Sequence, residues 1–269
     1  LLNKKVEFLP SFDFAKIKDK ISGAKIGSVF VLENLRFLPG EEKNDISLSK
    51  KLASLGDFYV NDAFSASHRE HASIVGIAKF LPSYAGLRFA KEVSVLSGVL
   101  RKPKKPLVVI LGGGKAADKL WVMNYLKNKA GKFLVGGAVA NTLLSIVGVK
   151  TGSSLVEKNK ERVKRFKKLL AFKNLVLPVD FKKRGNAILD IGEVTGEIFA
   201  SEIAKAKTIV WGGPVGYFED DKFAGGCIAV ARAVLKNKKA FSVAGGGETS
   251  AFLAKYKLTN AFDFVSTGG

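Results

Sequence analysis

Five short glycine-rich turns, each directly after an apolar run, constrain this 269-residue chain more than any other feature. They are Gly112-Gly113-Gly114-Lys115, Gly136-Gly137-Ala138, Gly212-Gly213-Pro214-Val215-Gly216, Gly245-Gly246-Gly247-Glu248-Thr249 and the closing Ser266-Thr267-Gly268-Gly269. The runs before them, residues 107–111, 133–135, 208–211, 241–244 and 262–265, are largely apolar, the first two without a break and the others interrupted only by Thr208, Ser242 and Asp263. Such strands are covered on both faces, as in a parallel sheet between helix layers. Further strands are expected at 28–32, 58–60 and 175–177. Helical spacing falls at 47–55, 89–100, 116–129, 138–147, 155–172, 223–238 and 249–257. Ser154 with Glu157 fits a capping box that would open the helix at 155–172. The alternation predicts an α/β protein.

Domain organisation follows from one break. Residues 89–100 are helical in spacing, and Arg101-Lys102-Pro103-Lys104-Lys105-Pro106 then interrupts them with charge and two prolines. The reading is a partial N-terminal domain at 1–88, a connector helix and hinge at 89–105, and a larger domain at 106–269.

Composition removes several classes. An apolar fraction of 47% with 25% charged residues argues against disorder. One Cys and two His exclude a disulfide framework and a cysteine-rich zinc site. No apolar run approaches the roughly 20 residues that span a bilayer. Lys and Arg number 44 against 24 acids, a net charge of +20. That field attracts polyanions, whether nucleic acid or small phosphorylated substrates. The lysines are spread along the chain, and the densest run, Lys158 to Lys173, reads as an exposed helix face.

In a parallel sheet, ligands bind beyond the carboxyl ends of the strands, where glycine lets backbone N–H groups approach phosphate. Five such turns point to a nucleotide or phosphate site. Lys115 and Lys119 lie four apart and share a helix face, with Asp118 between them. The Walker pattern G-x-x-x-x-G-K-[ST] is not matched. Glu248 could reach Mg²⁺ on a nucleotide, or complement a helix dipole. Near the N-terminus, Asn61-Asp62-Ala63-Phe64 runs on to His68-Arg69-Glu70-His71, a candidate anion site with Arg36. A metal pair at His68 and His71 lacks a clear third ligand. Cys227 reads as a buried small residue.

Together these segments resemble phosphoglycerate kinases. Leu32-Glu33-Asn34-Leu35-Arg36-Phe37 with Pro39-Gly40-Glu41-Glu42 is similar to that family's "LLENLRFHPGEE". Val60-Asn61-Asp62-Ala63-Phe64 through His68-Arg69-Glu70-His71-Ala72-Ser73 resembles "VNDAFGTAHRAHAS". Gly112 to Lys119 resembles "GGAKVSDK", Gly136 to Thr142 "GGGMANT", Thr208 to Pro214 "TIVWNGP", and Gly245 to Glu248 "GGGD". The matches run in family order over essentially the whole chain.

The resemblance implies two Rossmann-like three-layer domains with parallel sheets joined by a hinge helix, the N-terminal one incomplete. It implies phosphoryl transfer between 1,3-bisphosphoglycerate and ADP, giving 3-phosphoglycerate and ATP, with Mg²⁺, in a cytoplasmic monomer of glycolysis. Arg36, His68, Arg69 and His71 would hold the phosphoglycerate. Lys115 and Lys119, with Arg36, would act on the moving phosphoryl group. Gly113, Gly136, Gly137, Pro214, Gly246, Gly247 and Thr249 would line the nucleotide site, Glu219 would take the ribose hydroxyls, and Glu248 the metal.

The sequence also departs from the family. Gly212 replaces the Asn of "WNGP", Glu248 replaces an Asp, and Glu70 adds a negative charge beside the anion site. The family's first strand and its "HLGRP" loop have no counterpart here, so this chain alone is expected to be weak or inactive. A non-catalytic nucleotide-binding remnant is the alternative. A basic nucleic-acid-binding protein is a further one, although no helix-turn-helix, zinc finger or RRM motif stands out.

Overall fold

Apolar strands need cover on both faces, and the chain meets that need differently along its length. The computed structural model describes residues 4–268 and divides into two units, residues 1–93 and 94–269.

In the first unit, β1 (Val6–Leu9), α1 (Phe14–Ser22) and β2 (Val29–Leu32) form a parallel pair with its connecting helix. α2 (Ile46–Ala53) follows, and Asp45 caps it by accepting the Leu48 N–H at 2.7 Å. β3 (Tyr59–Asn61) pairs in parallel with β4 (Ser83–Ala85), and α3 (Leu87–Arg101) carries the chain onward. The core here is small. Leu48, Leu52 and Ala72 are buried, with Phe14, Leu32, Leu35, Leu38 and Ile77 packed around them. Where one three-layer domain was expected, the described residues give two separate two-stranded ladders. β1, α1 and β4 were not foreseen, because these short elements offer too few positions for a period to show.

The second unit holds β5 (Leu107–Leu111), α4 (Ala116–Leu126), β6 (Lys132–Val135), α5 (Gly137–Ile146), α6 (Lys160–Leu169) and β7 (Leu175–Val176). It continues through β8 (Phe181–Arg184), β9 (Ala187–Ile191), α7 (Glu193–Lys205), β10 (Thr208–Gly212), α8 (Gly225–Lys236), β11 (Phe241–Gly245), α9 (Gly247–Lys255) and β12 (Phe264–Val265). Six strands form one parallel sheet in the order β12-β11-β10-β5-β6-β7. All five residues of β5 are buried. Val108 and Ile110 face a core shared with α7, α8 and α9, while Leu107, Val109 and Leu111 face one shared with α4, α5 and α6. This is the three-layer arrangement the apolar runs predict.

Two expectations need correction. The helix read at 155–172 is shorter: α6 starts at Lys160 and is capped by Asn159, which accepts the Arg162 N–H at 3.1 Å. Ser154 and Glu157 form no capping box. Ser154 Oγ accepts the Ile188 N–H at 2.8 Å, and Glu157 accepts the Asn159 N–H at 2.9 Å. Short-range spacing suggested a helix start, and a bond across 34 residues took the serine instead. The second correction is the antiparallel β8–β9 hairpin, which was not anticipated. Its signal was present: a two-residue Gly185-Asn186 turn between two strand-like runs, with Gly185 at φ +58°.

Candidate functional site

The sheet order reverses between β5 and β10: the chain builds outward from β5 through β6 and β7, then from β10 through β11 and β12. Such a switch point opens a crevice at the carboxyl ends of the strands. The glycine turns meet there as one bonded network. The Gly112 N–H donates to Gly212 O at 3.2 Å, and the Gly113 N–H to Pro214 O at 2.7 Å. The Gly137 N–H donates to Val215 O at 3.0 Å, and the Ala138 N–H to Gly113 O at 3.1 Å. The Gly213 N–H donates to Thr249 Oγ1 at 2.8 Å, which brings in the turn after β11. The Gly246 N–H donates to Gly268 O at 2.8 Å and joins the turn after β12.

Two of these positions admit glycine for a definite reason. Gly213 sits at φ +100°, and a Cβ there would overlap the Gly112 carbonyl. At Gly136, a Cβ would stand 2.5 Å from Val215 Cβ and 2.6 Å from its Cα.

The crevice has a volume of about 230 Å³. One wall is made of turns: Gly113, Gly114, Gly137, Pro214 and Glu248. The other is largely apolar: Leu155, Ile188, Leu189, Tyr217, with Glu219 at its rim. Ile188 and Leu189 come from β9. The hairpin is held by the Ser154 bond to Ile188 and by the Tyr217 N–H donating to Leu189 O at 2.7 Å. Behind it Asp190 is buried, accepting N–H groups from Gly226 at 2.8 Å and Ile191 at 2.9 Å. Burial pushes its carboxyl up to about 6, against the pull of those two N–H donors and of Lys182. Cys227 lies beside it, fully buried, its thiol pushed up to about 12 by burial and by Asp190. That fits an inert structural cysteine.

The predicted residues of this unit divide into liners and holders. Lys115 is exposed just before α4, and Lys119 is half-buried one turn inside it. Burial lowers the Lys119 pKa, while Asp118 and Glu248 raise it and Lys115 lowers it further. Lys119 is therefore an ammonium stripped of part of its water and aimed among charged neighbours. Gly113, Gly137, Pro214, Glu219 and Glu248 line the crevice. Gly136 is buried as the cap residue of α5, and Gly246 and Gly247 open α9. Thr249 is fully buried, and its hydroxyl accepts the Gly213 N–H, so it fixes a turn. Glu248 Oε2 lies 3.4 Å from the Gly114 N. That gives a hard oxygen donor at the crevice mouth, suited to Mg²⁺ shared with phosphate oxygens. Among the described residues no cluster of three His, Cys, Asp or Glu could hold a metal unaided. Sequence reasoning missed the apolar wall, because a hairpin outside the main sheet supplies Ile188 and Leu189 and two separate loops supply Leu155 and Tyr217.

In the first unit, two basic groups converge on adjacent acids. Arg36 Nε lies 3.9 Å from Glu42 Oε1, and His71 Nδ1 lies 3.6 Å from Glu41 Oε1. Glu41 is buried and also accepts the Ser73 N–H at 3.1 Å and the Ser73 hydroxyl at 2.5 Å. The Pro39-Gly40-Glu41-Glu42 turn thus anchors the His71 segment beside Arg36. His68 is exposed and Arg69 half-buried on the same connection.

Comparison with known proteins agrees with this fold. A family profile described as Phosphoglycerate kinase matches residues 1–269. Curated relatives named phosphoglycerate kinase include that of Pseudothermotoga lettingae, 44% identical over 98% of this chain and 72% of the relative. That of Fervidobacterium nodosum is 43% identical over the whole chain and 74% of the relative. The crystal structure of phosphoglycerate kinase from Pyrococcus horikoshii has a TM-score of 0.86 at 33% identity, covering 98% of this chain and 73% of that one. No helix among the described residues is long and apolar enough to cross a membrane.

Proposed function

This chain belongs to the phosphoglycerate kinase family, and on that premise we propose that its second unit binds ADP or ATP in the switch-point crevice while Arg36, His68, Arg69 and His71 bind the phosphoglycerate. Its reaction is the family's: phosphoryl transfer between 1,3-bisphosphoglycerate and ADP, yielding 3-phosphoglycerate and ATP. The chain spans about three quarters of the length of its curated relatives. The observation that carries the nucleotide assignment is the convergence of all five glycine turns on the β5/β10 switch point, with Lys119 partly desolvated beside them.

The chemistry asks for little covalent help. An oxygen of the ADP β-phosphate is already the nucleophile. It bonds to phosphorus as the bond to the acyl oxygen breaks, and the electrons leave with the 3-phosphoglycerate carboxylate. No general base is needed, so positioning and charge neutralisation supply the rate. In this reading the turns fix the shape of the site, the N-termini of α4 and α9 turn their positive ends toward phosphate, and Lys115 and Lys119 neutralise it. The apolar wall takes the base, and Glu219 the ribose. Mg²⁺, held by Glu248 and the phosphates, would screen charge between nucleotide oxygens. The same reading makes the protein a cytoplasmic monomer.

Calorimetric titration with MgADP tests the site, repeated on Lys119→Ala and Glu248→Ala. Saturable binding weakened at least about tenfold by Lys119→Ala supports it. A folded chain that binds no nucleotide refutes it. Gly212→Asn sharpens the result: a Cβ there meets only Leu111 Cδ2 at 3.5 Å and Lys119 Nζ at 3.9 Å, so the family's side chain fits. Tighter ADP binding by this variant, with phosphoryl transfer only when Asn is present, would favour the non-catalytic remnant.

A further inference from the structure

The charge of the chain is gathered in space, although the sequence spreads it. Thirty of the 44 Lys and Arg residues lie in residues 94–269, with 13 of the 24 acids. Within that unit the six strands of the sheet are parallel, so the connections entering them all lie along one edge, opposite the glycine turns. Take each connection from the last three helical residues to the first strand residue: 99–107, 124–132, 167–175, 203–208, 234–241 and 253–264. These segments hold 17 Lys and Arg and a single acid, Asp263. That is +16 of the protein's +20. Asp263 is itself engaged, its carboxylate accepting the Ser242 N–H and hydroxyl at 2.7 Å each. Among the described residues only Lys205 and Lys255 of the seventeen have a carboxylate partner, Glu202 and Asp221, and Lys255 Nζ also donates to the Phe218 and Glu219 carbonyls of the loop after β10, which leaves sixteen cations to the edge itself.

Helix dipoles do not account for this. The six helices entering the sheet end at this edge, each with about −0.5 of an elementary charge, or roughly −3 in all. The cations exceed that about fivefold. Packing does not account for it either, since fifteen of the seventeen are exposed and only Lys129 and Lys132 are half-buried. Such a row of like charges raises the free energy of the isolated fold, and a polyanion relieves it.

We propose that this edge binds the phosphodiester backbone of a nucleic acid, independently of base sequence. Six strands about 4.8 Å apart make a front of roughly 24 Å. A duplex carries one charge per about 1.7 Å of axis with both strands counted, so a length equal to this front holds about 14 phosphates and turns roughly half of them toward the edge, fewer than the cations that meet them. Lys127, Asn128, Lys132, Phe172, Lys173 and Asn174 line a shallow open groove of about 450 Å³ there. The cations are almost all lysine, which serves as a point charge for phosphate and gives no bidentate base readout. This site needs none of the recognition motifs that the sequence lacks.

The test is fluorescence anisotropy of the full chain with a labelled 20-base-pair RNA duplex of arbitrary sequence. Excess ADP keeps the nucleotide crevice filled. Expected is saturable binding whose logarithm falls with log salt at a slope of about −5 or steeper between roughly 50 and 200 mM. A rim variant converts Lys102, Lys104, Lys127, Lys173, Lys238 and Lys239 to Gln. A control variant, of equal net charge, converts Lys18, Lys25, Lys43, Lys51, Lys79 and Lys91 to Gln. The rim variant should lose at least about tenfold in affinity and the control no more than about twofold. Equal losses in both would overturn the proposal, because net charge alone would then explain binding. So would a wild-type slope shallower than about −3, which needs no variant to fold. Rim-dependent binding to phosphatidylserine vesicles without binding to RNA would overturn it in favour of a membrane surface.

Discussion

The two units of this chain use the same parallel strand and bury it to different depths. In the second unit β5 is buried at every position, and Trp211, Phe133, Phe199 and Phe252 lie fully inside. In the first, β1 to β4 contain one buried residue, Leu9, and Phe8, Val31, Val60 and Tyr84 are exposed. The first unit's order rests instead on local polar devices: the Asp45 cap, the Glu41 bonds to Ser73, and Asp62 accepting the Phe89 N–H at 2.8 Å. Hydrophobic burial scales with area, so the second unit should be the more stable by a wide margin.

Core truncation tests this most severely. Trp211→Ala should cost about 3–5 kcal/mol and collapse the second unit, while Leu52→Ala should cost about 2–3 and release only first-unit amides to hydrogen exchange. Equal loss of protection in both units from either change would end the comparison. Gly213→Ala comes next, at about 2–4 kcal/mol, because a side chain is driven into the Gly112 carbonyl at a positive φ. Nucleotide binding should vanish with it, read by titration on protein that is still folded in the cold.

Asp190 gives a pH test of the second unit alone. Its folded pKa of about 6 lies above the unfolded 3.8, so between those values the folded state binds more protons. Unfolding free energy attributed to this group therefore falls as pH rises from about 4 to 6, by an amount on the order of 2 kcal/mol. The difference between wild type and Asp190→Asn should trace that fall in urea melts, and a difference flat across the window would show that Asp190 titrates normally. Smallest is Thr249→Val, which strips the acceptor from the Gly213 N–H at a cost of about 1 kcal/mol. It should weaken MgADP binding several-fold with little change in melting temperature. An unchanged affinity would mean that the turn holds its shape unaided.

What could be read from the amino acids follows the same division. The second unit's strands and glycine turns were legible because burial on both faces writes largely apolar runs, and because glycine is required where backbones nearly touch. Lys115, Lys119 and Glu248 were legible by their position after those turns. The roles of Thr249 and Ser154 were not, since each is settled by a bond to a residue more than thirty positions away. α7 escaped notice because Gly196 and Thr195 dilute its period, and both are there to pack: Gly196 against Ala229, Thr195 against Asp180. The charged edge escaped because a charge run in sequence has no direction until parallel strands align it.

The crevice draws its two walls from different structural sources. The turn wall rises from four strands, β5, β6, β10 and β11, and its glycines are bonded to one another, so a change in any one is felt through the others. The apolar wall hangs on a two-stranded ribbon held by a few bonds, from Ser154, Asn141 and Tyr217. Descent with modification would act on them unequally. The ribbon is pinned at the buried Ile188, Asp190 and Ile191, and its turn and exposed positions are freer to vary, and with them, on the proposed reading, the preference for one nucleobase over another. The turn wall is held in place by its own interdependence. If the crevice takes a nucleotide as proposed, a lineage of such proteins would thus diversify in which one it accepts long before it altered how the phosphates are grasped.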